Sequence, residues 1–504
     1  MARLRLMVLL AVLSGHAATF VRADSPATTA NWVGTQSLSP AAAQADYDLL
    51  RKSLEEAHPG LYRYSTKAQM DAMFDSERAK LNQPISKLAF RAVVAETLAL
   101  IRCGHTSLNG DDDMDAATKA APLLPLRVLV EGRQVKVLLN DTANDQTIQP
   151  GMEILEINGH KISDLLRRLY AVTSGDGDII TGKNHDLVNR FQMYYWWLIE
   201  QPKEFTITAK DSGGKTFVAK LAGVTEAERK SNHNPVNAKI MTGAGKAMGA
   251  MNVERKLSFL KDPEIAEIRL HYFLGNDYRQ WMASTFKTLH DKGTEALIID
   301  LRGNGGGEDE YGALLVSELT DKPFRYFDHI NIRTFKPSFD EYLDGHLDAA
   351  AIEKFSKGTV ASPDGGLILT PALNDGLNVQ QPAEHPFMGK VIILAEGGSF
   401  SCSADVCAIV HHLHRATFVG EETGGGYWGN NSGRMVTMTL PTSNVKFRFP
   451  FYEYWNAVQG DDAFRRRGTI PDVQVELKTA DLLRGADAQH DTAVKLALES
   501  IRSH

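Results

Sequence analysis

Cysteine is scarce in this chain, three in 504 residues, and that scarcity excludes a disulfide-stapled scaffold. Cys103, Cys402 and Cys407 match no zinc-binding spacing, and an odd number leaves at least one thiol unpaired. An excess of positive charge is missing too: 55 lysines and arginines stand against 62 acids, a formal charge of −7. A surface of that balance does not displace counterions from a phosphate backbone, so non-specific nucleic-acid binding is excluded. Beyond the first residues no apolar run reaches the ~18 needed for a spanning helix. Internal repeats and low-complexity tracts are absent. What remains is ordinary globular composition, 43% hydrophobic and 23% charged, enough for a real core. The length suits about three units of ~150 residues each.

The N-terminus departs from that average. Arg3 and Arg5 precede an apolar run from Leu6 to Leu13, and small residues lead to Val21-Arg22-Ala23. A charged start, a short apolar stretch and small residues near the cut read as a cleavable secretory signal over 1–23. Ala17 or Ala18 are alternative cut sites. The expectation is an exported chain, periplasmic or secreted, with no membrane span.

Periodicity then divides the chain. Ser39-Pro40 is a cap with proline at the first helical position, and Tyr47, Leu50, Leu54 and Ala57 follow at helical spacing until His58-Pro59-Gly60. Two more helices are expected, carrying Met70, Met73, Phe74 and Leu81, then Phe90, Val93, Val94, Thr97 and Ile101. This helical unit, 24–118, runs into Arg102-Cys103-Gly104-His105. Alternation at Leu126, Val128, Val130 and at Val135, Val137, Leu139 marks a strand-rich unit over 119–224. In it, Gly151 to Gly159 is a strand closed by an Asn158-Gly159 turn. A polar stretch, 225–255, is the linker candidate. From 256 to 504 strands alternate with helices, which predicts an α/β layer architecture. Ala296 to Asp300 and Val391 to Ala395 are its buried strands, and Val445, Phe447, Phe449 and Phe451 alternate in a late one.

Two strand-to-helix junctions concentrate the chemistry. Gly303-Asn304-Gly305-Gly306-Gly307 follows the first buried strand and lets the backbone approach a ligand closely. It lacks the Lys-Ser/Thr of a P-loop and the third glycine of a dinucleotide turn. Ser399-Phe400-Ser401-Cys402 follows the second and opens a helix. A serine there has an exposed hydroxyl, and the next amide can stabilise an oxyanion; the alternative is a cap cluster. A nucleophilic serine needs a base, no GxSxG is present, and His105 is a candidate in an expected turn. His411 and His414 read as charge at a helix C-terminus rather than metal ligands. Asp111 to Asp115 lacks the glycine and closing glutamate of a calcium loop.

Ile298 to Gly307 resembles the glycine signature of the tail-specific, or C-terminal processing, serine proteases, peptidase family S41. Ser399 to Cys402 is similar to the nucleophile turn of that family, Val419 to Gly426 to the segment after the nucleophile helix, and Gly468 to Asp472 to its closing motif. Gly151 to Gly159 resembles the core of a PDZ-like insert. The resemblance implies a crotonase- or ClpP-like α/β core carrying Ser401, joined to a helical N-terminal unit carrying His105 and a PDZ-like module. No lysine occupies Gly424-Gly425-Gly426-Tyr427, so the resemblance points to the His-type subgroup related to the tricorn core, with His105 as base. Backbone amides of Gly305, Gly306 and Cys402 would form the oxyanion hole. Arg465 stands where those relatives keep an acid, leaving Asp461, Asp462, Glu421, Glu422 or a simple dyad. The implied activity is peptide-bond hydrolysis on a polypeptide substrate, as an endopeptidase or carboxyl-terminal-processing peptidase, with no cofactor or metal. A binding protein on the same scaffold and an exported esterase are the alternatives. The cysteines are expected as free, buried thiols, and an unperturbed His105 would titrate at about 6–7.

Overall fold

The run Ala296–Asp300 has no polar face, so it belongs at the centre of a sheet covered on both sides. It lies there in the computed structural model, which describes residues 34–502 apart from 35, 111, 144, 232–235, 242–254, 261–263, 364, 459 and 461. The signal segment 1–23 and Asp461 fall outside the described residues. Six strands form this sheet in the order Arg255–Phe259, Ile265–Leu270, Ala296–Asp300, Lys390–Ala395, Thr417–Gly420, Val473–Gln474. The first pairs antiparallel and all the others parallel. Helices Tyr278–Asp291, Asp309–Ser317 and Cys402–His412 cover one face, and Ala488–Arg502 covers the other. The two glycine-rich junctions leave adjacent strands whose ends are level, Asp300 opposite Leu394. Parallel pairing thus brings two distant turns together at the carboxyl edge of the sheet, where α/β folds place ligands.

The opening helices form as their signals predict. Ser39 caps Pro40–Ala57, its Oγ accepting from Ala42 N at 3.2 Å, and the helix ends where His58-Pro59 begins. Their apolar faces have no core of their own. They pack against a second, antiparallel sheet through Phe447, Phe449 and Phe451, which face inward from the strand Lys446–Asn456. The short strand Ser107–Leu108 pairs with the same strand, Arg448 opposite Ser107.

The middle unit is an antiparallel sheet in the order Leu126–Glu131, Gln134–Asn140, Glu153–Ile157, Glu204–Lys210, Thr216–Ala222. Helices Ile162–Val172 and Ile180–Leu198 pack on it around a separate core. The Asn158-Gly159 turn forms as expected, both residues at positive φ of 50° and 78°, the geometry of a type I′ hairpin. The stretch read as a linker includes the helix Glu226–Ser231 and buries Ile240 beside Leu129 and Leu138. Among the described residues no helix is long and apolar enough to cross a membrane.

Beneath the first glycine turn lies a buried charge cluster. Arg302, 2% exposed, grips Asp300 with Nε and Nη2, both at 2.9 Å. Its Nη1 reaches Asp487 Oδ1 at 2.7 Å and Gln489 Oε1 at 3.1 Å. Arg269 adds a longer contact to Asp300 at 3.4 Å. Burial opposes the Asp300 charge, yet the two guanidinium groups hold its carboxyl below the usual range. Arg302→Met, which keeps the bulk and removes the charge, should cost ~3–5 kcal/mol in urea unfolding because it strands Asp300 without its partner. Adding Asp300→Leu should recover much of that loss. A single variant as stable as the parent would show that the cluster carries no weight.

Candidate active site

Ser401 stands at the tip of the second turn with φ 56° and ψ −133°, a region costly for any residue with a β-carbon. Such strain survives only where the surroundings over-determine it, and here the two turns are stitched to each other. Ser399 Oγ donates to Leu301 O at 2.8 Å, and Phe400 N donates to Asn304 O at 3.0 Å. Gly303 N donates to Glu396 Oε1 at 2.7 Å. From the far side Gly424 N donates to Ser399 O at 3.0 Å. Ser401 O begins the following helix by accepting from Ala404 N at 2.8 Å. The result is a serine held out of a sharp strand-to-helix turn at the positive end of a helix.

The three predicted amides have different fates. Among the described residues, Gly305 N and Cys402 N donate to no group of the chain. Gly306 N is already used, donating to Asn304 Oδ1 at 2.9 Å, so it is not available as a donor. The contribution of Gly306 is room: a β-carbon there would lie 2.7 Å from Ser401 Cβ and 3.0 Å from Cys402 N. Its φ of 103° also requires glycine.

His105 comes to the same turn from the opening unit. Its ring stacks on Phe400, the residue before Ser401, with centroids 4.5 Å apart and planes 29° off parallel. Gly104 permits the approach, since a β-carbon there would meet the Phe400 ring at 2.6 Å. No hydrogen bond joins His105 to Ser401, and His105 Nδ1 is buried without a partner. Burial, then the nearby Arg448 charge, lower the His105 pKa to about 3. The ring is therefore far from the unperturbed imidazole expected of it, and is neutral at any ordinary pH.

Of the acids weighed as a third member, the three that are described, Glu421, Glu422 and Asp462, make no bond to His105. Glu422 is engaged by Arg467 Nε and Nη2 at 2.8 and 2.7 Å and by Gly468 N. Glu421, pushed up to about 7 by burial, lines a small cavity with His185 and Glu396. Asp462 is exposed on a short turn, and Asp461 lies outside the described residues. Arg465 lies over the Trp428 ring at 5.9 Å.

Sequence reasoning missed one carboxylate. Asp176, 1% exposed, accepts from Gly104 N at 2.7 Å and from Gly426 N at 3.3 Å, joining the His105 loop to the segment after helix Cys402–His412. Ser174 Oγ donates to Thr106 O at 2.5 Å and Gly177 N to Arg102 O at 3.1 Å. The middle unit thus fastens both sides of the site. Burial raises the Asp176 pKa to about 6 against these two donors. Its sequence signal, an aspartate between Gly175 and Gly177, reads only as a turn.

The three thiols are free and buried, as expected. Cys402 Sγ points away from the turn toward Glu308 O at 3.4 Å, and Cys103 Sγ toward Asn431 O at 3.8 Å. Burial raises both thiols' pKa, Cys103 to about 11. His411 Nδ1 is bonded to Tyr427 Oη at 2.9 Å.

Comparison with known proteins agrees with this arrangement. The family model described as peptidase family S41 matches residues 264–475, from the second strand of the central sheet through its last. Mature CPAF complexed with lactacystin shares the fold at a TM-score of 0.64 and 17% identity, over 92% of this chain and 99% of that one. Mature CPAF alone gives 0.62 and 16%, over 91% and 96%. No curated protein matches the sequence. The glycine turn, the serine turn and the closing motif all lie on one α/β sheet, within the segment that matches the model of peptidase family S41.

Proposed function

We propose that the chain is an exported serine peptidase that cleaves polypeptides with Ser401 as nucleophile and His105 as base. The observation that carries the reading is the strained turn at Ser401, flanked by the unspent amides of Gly305 and Cys402. As Ser401 Oγ bonds to the scissile carbonyl carbon, its proton passes to His105 and the carbonyl oxygen, now negative, is received by those two amides. The C–N bond then breaks, and His105 returns the proton to the leaving amine. Water repeats the sequence in reverse to free the acyl group. Asp176 keeps the His105 loop in place rather than touching substrate. The N-terminal pattern Arg3 to Ala23 supports export, and the middle unit is read as a PDZ-like module that would hold a peptide by strand addition.

Two observations favour a second reading. Arg465 stands where the resemblance implies an acid, and His105 Nδ1 has no partner to orient it, which would suit a binding protein on the same scaffold. A fluorophosphonate probe separates the two, because labelling needs an activated serine. The same pair would also serve an exported esterase, distinguished by turnover on matched ester and peptide substrates.

Ser401→Ala should abolish both labelling and hydrolysis with unchanged circular dichroism; persistence of either in a clean preparation would falsify the assignment. Gly306→Ala, which drives a methyl into Ser401, should lower kcat by about a hundredfold or more while the fold is kept. For His105 the sign of the shift fixes the pH profile. A base whose pKa is lowered to about 3 is neutral throughout, so the rate should be flat from about pH 5 to 8. His105→Ala should cost about a hundredfold or more across that range. A rate climbing through about pH 6–7 would mean that the ring is solvated in solution.

A further inference from the structure

A cleft of about 790 Å³ beside the two turns is lined by Gly305 and Phe400, the latter the residue before Ser401, and by two arginines, Arg190 and Arg448. The arginines differ in how they are satisfied. Arg190 Nε pairs with Asp186 at 3.2 Å and its Nη1 donates to Tyr194 Oη at 3.3 Å. Arg448 has no carboxylate partner among the described residues; its Nε donates to Ser107 Oγ at 3.3 Å and nothing else is bonded. Asp115, another acid on the cleft wall, forms no ion pair with it. The strand alternation that turns Phe447 and Phe449 into the core turns Arg448 outward. It pairs with Ser107, which follows His105 by two residues in the chain.

We infer that Arg448 binds a carboxylate on the leaving-group side of the scissile bond, making the enzyme selective for peptides with an acid just beyond the cut. The inference rests on the proposed roles of Ser401 and His105. The side follows from the chemistry: His105 hands its proton to the leaving amine, so the departing chain lies beside His105, where Arg448 stands. The planar guanidinium matches a carboxylate in a two-point contact that an ammonium group does not reproduce. Two further observations agree. Burial, together with the Arg190 charge, works against the Arg448 charge, so an anion between them relieves an existing repulsion. Arg448 is also the charge that makes His105 a weaker base. Neutralising it with substrate removes the smaller of the two effects that lower the His105 pKa, burial being the larger.

The carboxylate has two sources, the chain terminus or an acidic side chain, and the test separates them. Binding is read by fluorescence anisotropy on full-length Ser401→Ala, so it does not depend on turnover. Three labelled alanine-leucine octapeptides are compared: one ending in a free carboxylate, its carboxamide twin, and an amidated twin with glutamate in the penultimate position. The free acid or the glutamate peptide should bind about tenfold tighter than the carboxamide, and whichever does identifies the source. Adding Arg448→Gln should bring that ratio to near one, and Arg448→Lys should restore part of it. Each ratio is taken within one protein, so a partly misfolded variant does not imitate the effect. Equal binding of all three, binding of none, or a preference that survives Arg448→Gln overturns the inference. Failure of the serine reading would instead appear as a wild-type chain that hydrolyses no peptide and takes no fluorophosphonate.

Discussion

A guanidinium sealed under the central sheet must be surrounded by acids, because an unpaired charge there would cost more than a domain's whole margin of stability. Arg302 meets that demand with Asp300 from its own strand end and Asp487 from the start of the last helix. The consequence reaches the surface. With Arg302 fixed, the next residue leaves the sheet at a set point and direction, and Gly303 offers its amide to Glu396 in the neighbouring turn. From there Asn304 takes hold of Phe400 N, and the serine turn inherits its position from the glycine turn. The strain at Ser401 is thus met by hydrogen bonds that begin with a salt bridge, none of whose members touches the cleft.

The second constraint is that His105 belongs to a different part of the chain. Its loop is held from two directions: by the pairing of Ser107–Leu108 with Phe447 and Arg448, and by Asp176 from the middle unit. The opening helices bury their apolar faces on the sheet that contains Arg448, so they cannot separate from it without exposing a phenylalanine-rich surface. Ser401 and His105 are therefore joined through shared cores and a few polar contacts rather than through a bond with each other.

Much of this was legible in the sequence, for local reasons. Ser39-Pro40, Asn158-Gly159 and the apolar run before Asp300 act within a few residues, and each forms where its chemistry requires. The proximity of the two glycine-rich turns followed from parallel pairing once an α/β order was recognised. Asp176 was not legible, because its role depends on two amides from remote segments. The amide of Gly306 was misread for a similar reason: only the fold reveals that Asn304 Oδ1 has claimed it. The linker reading failed at Ile240, where one apolar residue finds a core that a polar average conceals.

The stacking of His105 on Phe400 has a mechanical meaning. A carboxylate behind an imidazole fixes one nitrogen as donor and stops the ring from turning. A flat aromatic wall restrains tilt but fixes neither nitrogen as the donor. With no partner at Nδ1, the ring is placed by this stack and not by a carboxylate behind it. The position of the ring is then set by a flat contact, while the choice of which nitrogen carries the hydrogen is left open to whatever enters the cleft.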